Sequence, residues 1–196
     1  KDITVMGTMH EIGFHIGMID SNTPTNPRSL YAISKNSLRQ SLEVLNQITP
    51  FHFRWLRGYY IYGDDKESNS IFGKLLYKAE EGAVTFPFTT GKNKYDFIMV
   101  TDIALQIALA STQVDIDGII NCCSGNPVSL GVKVEEFIKD KGLSIQLEYG
   151  VFPERVYDSP EIYGDNSKIK KILERSKGFF SAEIDEKIDI LLMKLA

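Results

Sequence analysis

The chain has 196 residues, 43% hydrophobic and 24% charged, with a formal net charge of −4. That length and balance suit a globular protein with a proper core and exclude a disordered chain. No apolar run approaches the ~18 residues of a membrane span. A weakly acidic chain has no basic stripe for general nucleic-acid binding, although a small anionic ligand needs only one or two well-placed cations.

Residues 3–7 read as an apolar strand entering Gly7-Thr8. So abrupt a start after Lys1 is expected of a fragment of a longer chain. Residues 8–28 form a loop rich in Gly, Asn and Pro, and a long loop without its own periodicity is usually functional. A helix is predicted over 29–47, with Ser29 as N-cap and Leu38, Leu42 and Leu45 recurring on one face. A strand follows at 53–61, ended by Tyr62-Gly63, then a helix at 68–81 and a strand at 83–86. The next predicted strand, 95–100, leads into a helix capped by Thr101 or Asp102 and running through 112. A buried strand at 118–123, a helix at 130–141 and a strand at 143–149 come next. A Pro- and Tyr-rich loop at 151–164 precedes two short helices, 166–175 and 181–195. Strands alternating with helices imply an α/β fold with a largely parallel sheet.

The cysteines, Cys122 and Cys123, are adjacent, which strains any bridge between them, so both are expected as buried thiols. No secretion or lipidation signal is read near Lys1, and a reducing cytoplasm is the expected compartment. His10, His15 and His52 lack metal-ligand spacing, and no metal is expected.

Tyr31 and Lys35 stand four apart in the first predicted helix and share a face. A nearby ammonium favours tyrosinate, the tuning that a tyrosine general acid–base needs. Alone the pair is a common coincidence. Its setting is more specific. Upstream lie a strand ending in Thr8, a loop through Gly13, then Thr23-Pro24 and Pro27. Downstream are Leu56-Arg57-Gly58-Tyr59-Tyr60-Ile61-Tyr62-Gly63, the run Tyr95 to Ala104, Asn121 to Ser129, Arg155 to Asp158, and Gly164-Asp165 with Ser167-Lys168. In this order the motifs resemble the extended short-chain dehydrogenase/reductase family, the NAD-dependent epimerase/dehydratase group that acts on nucleotide-sugars.

The resemblance implies the second half of a Rossmann-type parallel sheet, its N-terminal strands absent, with a smaller mixed α/β substrate-binding domain. It divides the chain into 1–63, the remainder of the dinucleotide-binding domain with the catalytic helix; 64–98, a substrate-binding segment; 99–124, the last helix and strand of the dinucleotide-binding domain; and 125–196, the C-terminal substrate-binding domain. Tyr31 would exchange the proton on the sugar oxygen, Lys35 would hold the nicotinamide ribose, and Thr8 would hydrogen-bond the same oxygen. Tyr31, Lys35 and Tyr59 would contact NAD or NADP. His10, Glu11, Tyr60, Lys94, Arg155 and Asp158 would meet the nucleotide-sugar, with Arg155 facing its diphosphate. A homodimer formed through the helix at 29–47 and its neighbour is also implied.

Departures from the family pattern narrow the chemistry. The 4,6-dehydratases carry Asp-Glu directly after the Thr, where this chain has Met9-His10, and Glu11 stands one place too late. A 4-keto reductase of a deoxy-sugar nucleotide is therefore expected, with a 4-epimerase as the alternative. Tyr95 occupies a position where many members have Arg, and Lys92 and Lys94 lie beside it. No Gly-x-Gly-x-x-Gly turn for the cofactor diphosphate occurs. The whole enzyme would need roughly 300 residues, so this length alone is expected to be inactive. A non-catalytic remnant that binds sugar nucleotides or oligomerises is the contrasting possibility.

Overall fold

A computed structural model describes residues 1–154 and 158–195. The chain opens with β1 (Asp2–Thr8), a 3-10 turn at Met9–Glu11, and β2 (Gly17–Ile19). Then come α1 (Leu30–Ile48), β3 (His52–Gly58), β4 (Tyr60–Tyr62), α2 (Ile71–Glu80), β5 (Thr85–Pro87) and β6 (Lys94–Met99). The second half holds α3 (Val100–Thr112), β7 (Gly118–Cys122), β8 (Pro127–Ser129), α4 (Leu130–Asp140) and β9 (Gln146–Glu148). It closes with β10 (Glu161–Gly164), α5 (Ser167–Ser176) and α6 (Ala182–Lys194).

Among the described residues the strands form three sheets. One is parallel, in the order β1-β3-β7. A second runs β2-β10-β6-β4, parallel throughout, with β8 antiparallel on β6. The third is the parallel pair β5-β9. The expected strand at 53–61 is two strands, because the chain changes sheets at Tyr59. Its first part pairs with β1 and β7, and its second pairs with β6.

Local chemistry sets the helix starts. Ser29, Ser70 and Ser129 each accept a backbone N–H of the first turn, from Ala32, Gly73 and Val132, satisfying donors that a helix end leaves orphaned. α3 differs from expectation. It begins straight off β6 after Met99 without a side-chain cap, so Thr101 and Asp102 lie inside the first turn, and Asp102 instead receives Lys194 Nζ at 2.6 Å. β8 and β10 were not expected. Each is short, at three and four residues, and is held by pairing with β6 rather than by any pattern of its own.

Two cores result. An aromatic one gathers Tyr59, Phe72, Phe88, Tyr95, Phe97 and Phe137. An aliphatic one packs Leu56 and Ile120 of the first sheet against Ile103 and Leu109 of α3 and Ile172 and Leu191 of α5 and α6. Residues 125–196 contribute to both cores. α4 and β10 join the aromatic core, while α5 and α6 cover the first sheet. Asp96 fastens the two regions. Buried on β6, it accepts Ser124 N (2.8 Å), Ser124 Oγ (2.6 Å), Gly125 N (2.9 Å) and Gly164 N (3.0 Å). Burial pushes its pKa up, and these donors oppose that push. Both cysteines are free and buried, and burial raises both thiol pKa values, that of Cys122 to about 12. No helix among the described residues is long and apolar enough to cross a membrane.

Candidate active site

The site forms where β1 ends and α1 begins. Thr8 closes β1 and caps the 3-10 turn. Its Oγ1 accepts His10 N at 3.3 Å, and its own N–H donates to Glu11 Oε1 at 2.7 Å. Gly13 then turns the chain at φ +73°, where a Cβ would stand 2.1 Å from Asn26 O. Only glycine suits that conformation and that close approach. The turn lets the loop return, with Asn26 N donating to Glu11 O at 3.0 Å, and delivers Arg28 and Ser29 to the start of α1.

Lys35, one turn into α1, reaches across and donates its ammonium to Met6 O at 3.0 Å. That bond fixes α1 against β1 two residues before Thr8. One turn earlier, Tyr31 is half exposed on an open cavity of about 860 Å³. His10, Tyr60 and Asp158 share the cavity wall with it, together with Met9, Phe14, Arg28 and Ser159. Tyr60 stacks on Tyr95 at 4.4 Å between ring centroids. Burial raises the Tyr60 pKa, and the charges of Tyr95 and Asp158 add to this. His10 reaches solvent at the cavity wall, yet desolvation lowers its pKa, with Asp158 pulling the other way.

The structure thus gathers Tyr31, His10, Tyr60 and Asp158 around one cavity, with Thr8 adjacent to the wall through Met9. Other expected contacts fall elsewhere. Glu11 is fully buried beneath the site, its oxygens taken by Thr8 N and Trp55 Nε1. Its side chain faces the interior rather than the cavity, because the turn that Thr8 caps folds it inward. The Tyr59 ring is likewise in the aromatic core, against Gly164 and Cys123, with its hydroxyl buried and without a hydrogen-bond partner. Burial drives its pKa upward, and its side chain does not line the cavity. Lys94 pairs with Glu161 on the neighbouring strand at 3.1 Å and does not line the cavity. Arg155 lies outside the described residues. Arg28, Phe14 and Ser159 were not singled out from sequence. Arg28 had a legible signal, as a cation directly before a helix N-cap.

A second cavity, of about 920 Å³, is walled by Tyr77, Phe86, Phe88 and Phe152 and edged by Lys66 and Lys74. No group of three or more His, Cys, Asp or Glu side chains suited to a metal occurs among the described residues.

The family model for the NAD dependent epimerase/dehydratase family matches residues 2–123. The chain belongs to this family. It is 48% identical over 165 residues to a dTDP-6-deoxy-L-talose 4-dehydrogenase (NAD(+)) of Aggregatibacter actinomycetemcomitans, covering 84% of this chain and 61% of that protein. It is 26% identical over 159 residues to a putative UDP-glucose 4-epimerase of Methanocaldococcus jannaschii, covering 78% of this chain and 49% of that protein. The chain therefore spans about half to three-fifths of the curated relatives it matches. Among solved structures, a UDP-N-acetylglucosamine 4-epimerase from Methanobrevibacter ruminantium M1, in complex with UDP-N-acetylmuramic acid, superposes with a TM-score of 0.77. It shares 21% identity, over 100% of this chain and 62% of that one. A dTDP-glucose 4,6-dehydratase from Bacillus anthracis str. Ames, in complex with NAD, gives 0.75 at 19% identity, over 96% and 60%. At these identities the likeness is one of fold, a Rossmann-like α/β architecture.

Proposed function

We propose that the full-length protein is an NAD(P)-dependent oxidoreductase of a nucleotide-linked deoxy-sugar, acting at C4 as a 4-keto reductase. The observation that carries this reading is the pairing on α1. Tyr31 faces the cavity while Lys35, one turn on, is anchored to the carbonyl two residues before Thr8. The similarity to a 4-dehydrogenase supports it, because dehydrogenating a 4-hydroxyl and reducing a 4-ketone are one step in opposite directions.

Tyr31 and Lys35 suit the nicotinamide ribose. An ammonium has three donors, of which the bond to Met6 O uses one, and a phenol hydroxyl can serve a ribose diol. A bound nicotinamide would supply the hydride. The Tyr31 hydroxyl gives its proton to the C4 oxygen as the ketone becomes an alcohol, and the Thr8 hydroxyl hydrogen-bonds the same oxygen. His10, Tyr60 and Asp158 contact the sugar. The second cavity suits the nucleotide end, since aromatic faces stack on bases and lysines offset phosphate charge. The exposed apolar side chains of α1, including Leu38, Val44 and Leu45, support a homodimer through that helix, and a cytoplasmic site of action fits the family's soluble substrates.

The test is a nucleotide-sugar panel with the full-length protein, following cofactor absorbance and product stereochemistry. Tyr31→Phe is expected to lower turnover by about 10²–10⁴-fold with little loss of binding. Near-normal turnover in that variant would refute the assignment. The 26% identity to a putative 4-epimerase keeps a second reading in view. Interconversion of C4 epimers without net cofactor consumption would establish it.

A further inference from the structure

Glu11 is a buried carboxylate that the chemistry above does not use, and its surroundings are unusual. It has no exposed surface. Oε1 accepts Thr8 N at 2.7 Å, and Trp55 Nε1 lies 3.0 Å from each oxygen. Two guanidiniums flank Oε2, with Arg39 Nε at 3.8 Å and Arg57 Nη2 at 3.7 Å. These are ion-pair rather than hydrogen-bond distances, so the arginines are held to Glu11 mainly by charge. An isolated buried carboxylate is strongly disfavoured, and here two cations and two N–H donors compensate it.

The partners come from different elements. Trp55 and Arg57 lie on one face of β3, opposite Val5 and Gly7 of β1. Arg39 lies on α1, one turn beyond Lys35, and also binds Asn36 Oδ1 (2.9 Å) and Glu43 Oε1 (2.6 Å). The segment 6–11 is therefore clamped to α1 at two points, Lys35 on Met6 O before Thr8 and Arg39 on Glu11 after it. Gly7 makes room for this. A Cβ there would stand 2.0 Å from Trp55 Nε1 and 2.8 Å from Glu11 Oε1.

We propose that Glu11 is a positioning residue, whose buried carboxylate sets where Thr8 stands relative to Tyr31 by joining the Thr8 backbone to α1 and β3. The inference rests on the reductase reading for its effect on rate, but not for its effect on the Thr8 backbone. Glu11 touches no substrate and acts only through Thr8. Its loss loosens a catalytic hydroxyl without emptying the binding cavity, so kcat falls while KM holds.

The experiment compares Glu11→Gln, Trp55→Phe and Tyr31→Phe with the parent full-length protein. Amide hydrogen exchange across residues 6–13 is measured alongside kcat and KM for the 4-keto nucleotide-sugar. Glu11→Gln is expected to speed exchange at Thr8 and lower kcat by about tenfold or more, with KM within about twofold. Trp55→Phe removes one donor and is expected to shift both readouts the same way, by less. A purely structural role would lower the melting temperature and leave the kcat of the folded fraction intact. Parental exchange at Thr8 and parental kcat in a folded Glu11→Gln protein overturn the proposal. Should that variant not fold, the same outcomes in Trp55→Phe decide. Near-normal turnover in Tyr31→Phe sinks the reductase assignment instead, and exchange at Thr8 then judges the role of Glu11 by itself.

Discussion

Asp96 offers the most quantitative test of how the two cores are joined. Its carboxylate is fully buried and accepts hydrogen bonds from Ser124 N, Ser124 Oγ, Gly125 N and Gly164 N. Asp96→Ala removes the acceptor for all of them. Each unsatisfied buried donor costs about 1–3 kcal/mol. The Ser124 and Gly125 donors are only partly buried and regain some water, whereas the Gly164 bond is buried. A loss of about 3–5 kcal/mol follows, a large share of the ~5–15 kcal/mol that holds a typical domain. Asp96→Asn is milder for a specific reason. Its amide nitrogen can face Ser124, whose hydroxyl turns to accept, so the oxygen still serves Gly125 and Gly164. Only Ser124 N then meets a donor, for about 1.5–3 kcal/mol. Ser124→Ala, losing one hydroxyl bond, should cost about 1 kcal/mol. Equilibrium urea unfolding followed by circular dichroism orders the three. An Asp96→Ala protein within about 1 kcal/mol of the parent would show that water reaches these donors and that the burial argument is wrong.

Gly7→Ala should destabilise by about 1–3 kcal/mol, because the new methyl would meet the Trp55 indole at 2.0 Å; an unchanged thermal midpoint would refute that close approach. His10 should titrate below the ordinary histidine value of about 6.5, since desolvation outweighs Asp158. Neutral His10 therefore favours the folded state above that value, and the contribution is lost as pH falls through the folded pKa. Asp158→Asn should lower the midpoint further in an NMR titration, and a midpoint above the ordinary value would contradict the burial argument. For α1, light scattering should report a homodimer that Val44→Lys with Leu45→Lys disperses, both residues being half exposed on the helix. A parent protein that is monomeric at working concentration would count against this interface.

What could be read from sequence was mostly local. Ser29 as N-cap, α1 within a residue or two, and Tyr31 and Lys35 on one face all follow from spacing along a helix. The features that escaped depend on partners far along the chain. Nothing near Lys35 points to Met6 O, 29 residues away, and nothing near Glu11 points to Trp55, 44 residues away. Glu11 therefore reads as a loop acid beside a cleft, when a distant indole and two arginines hold it inside. Tyr59 and Tyr60 are indistinguishable in sequence. They part because the chain changes sheets between β3 and β4, sending one ring into the aromatic core and the other to the cavity. β10 was invisible for a related reason, since a four-residue strand behind Pro160 exists only by pairing with β2 and β6.

The inward fate of Glu11 also bears on which chemistry the site supports. Water elimination needs a carboxylate beside the reacting carbons in addition to the tyrosine, and the dehydratase pattern supplies it from the two positions after the Thr. Here the first of these is Met9, packed into the aromatic core, and the second is His10, a base held toward its neutral form. Glu11 is the one nearby acid in that stretch, and its oxygens are committed to Thr8 N and Trp55 Nε1. Turning it outward would break the buried pair with Arg57, at a cost of about 3–5 kcal/mol, and would leave Arg39 with Glu43 alone. Asp158 remains as the acidic side chain among the described residues lining the cavity, and it comes from far along the chain rather than from the positions after Thr8. On the proposed reading, with Tyr31 as the acid and Thr8 as the hydroxyl donor, the lack of a carboxylate directly after the Thr favours transfer at a single carbon over elimination across two. Met9 and His10 thus leave no carboxylate at the two positions after Thr8, while the carboxylate of Glu11 is buried beneath it.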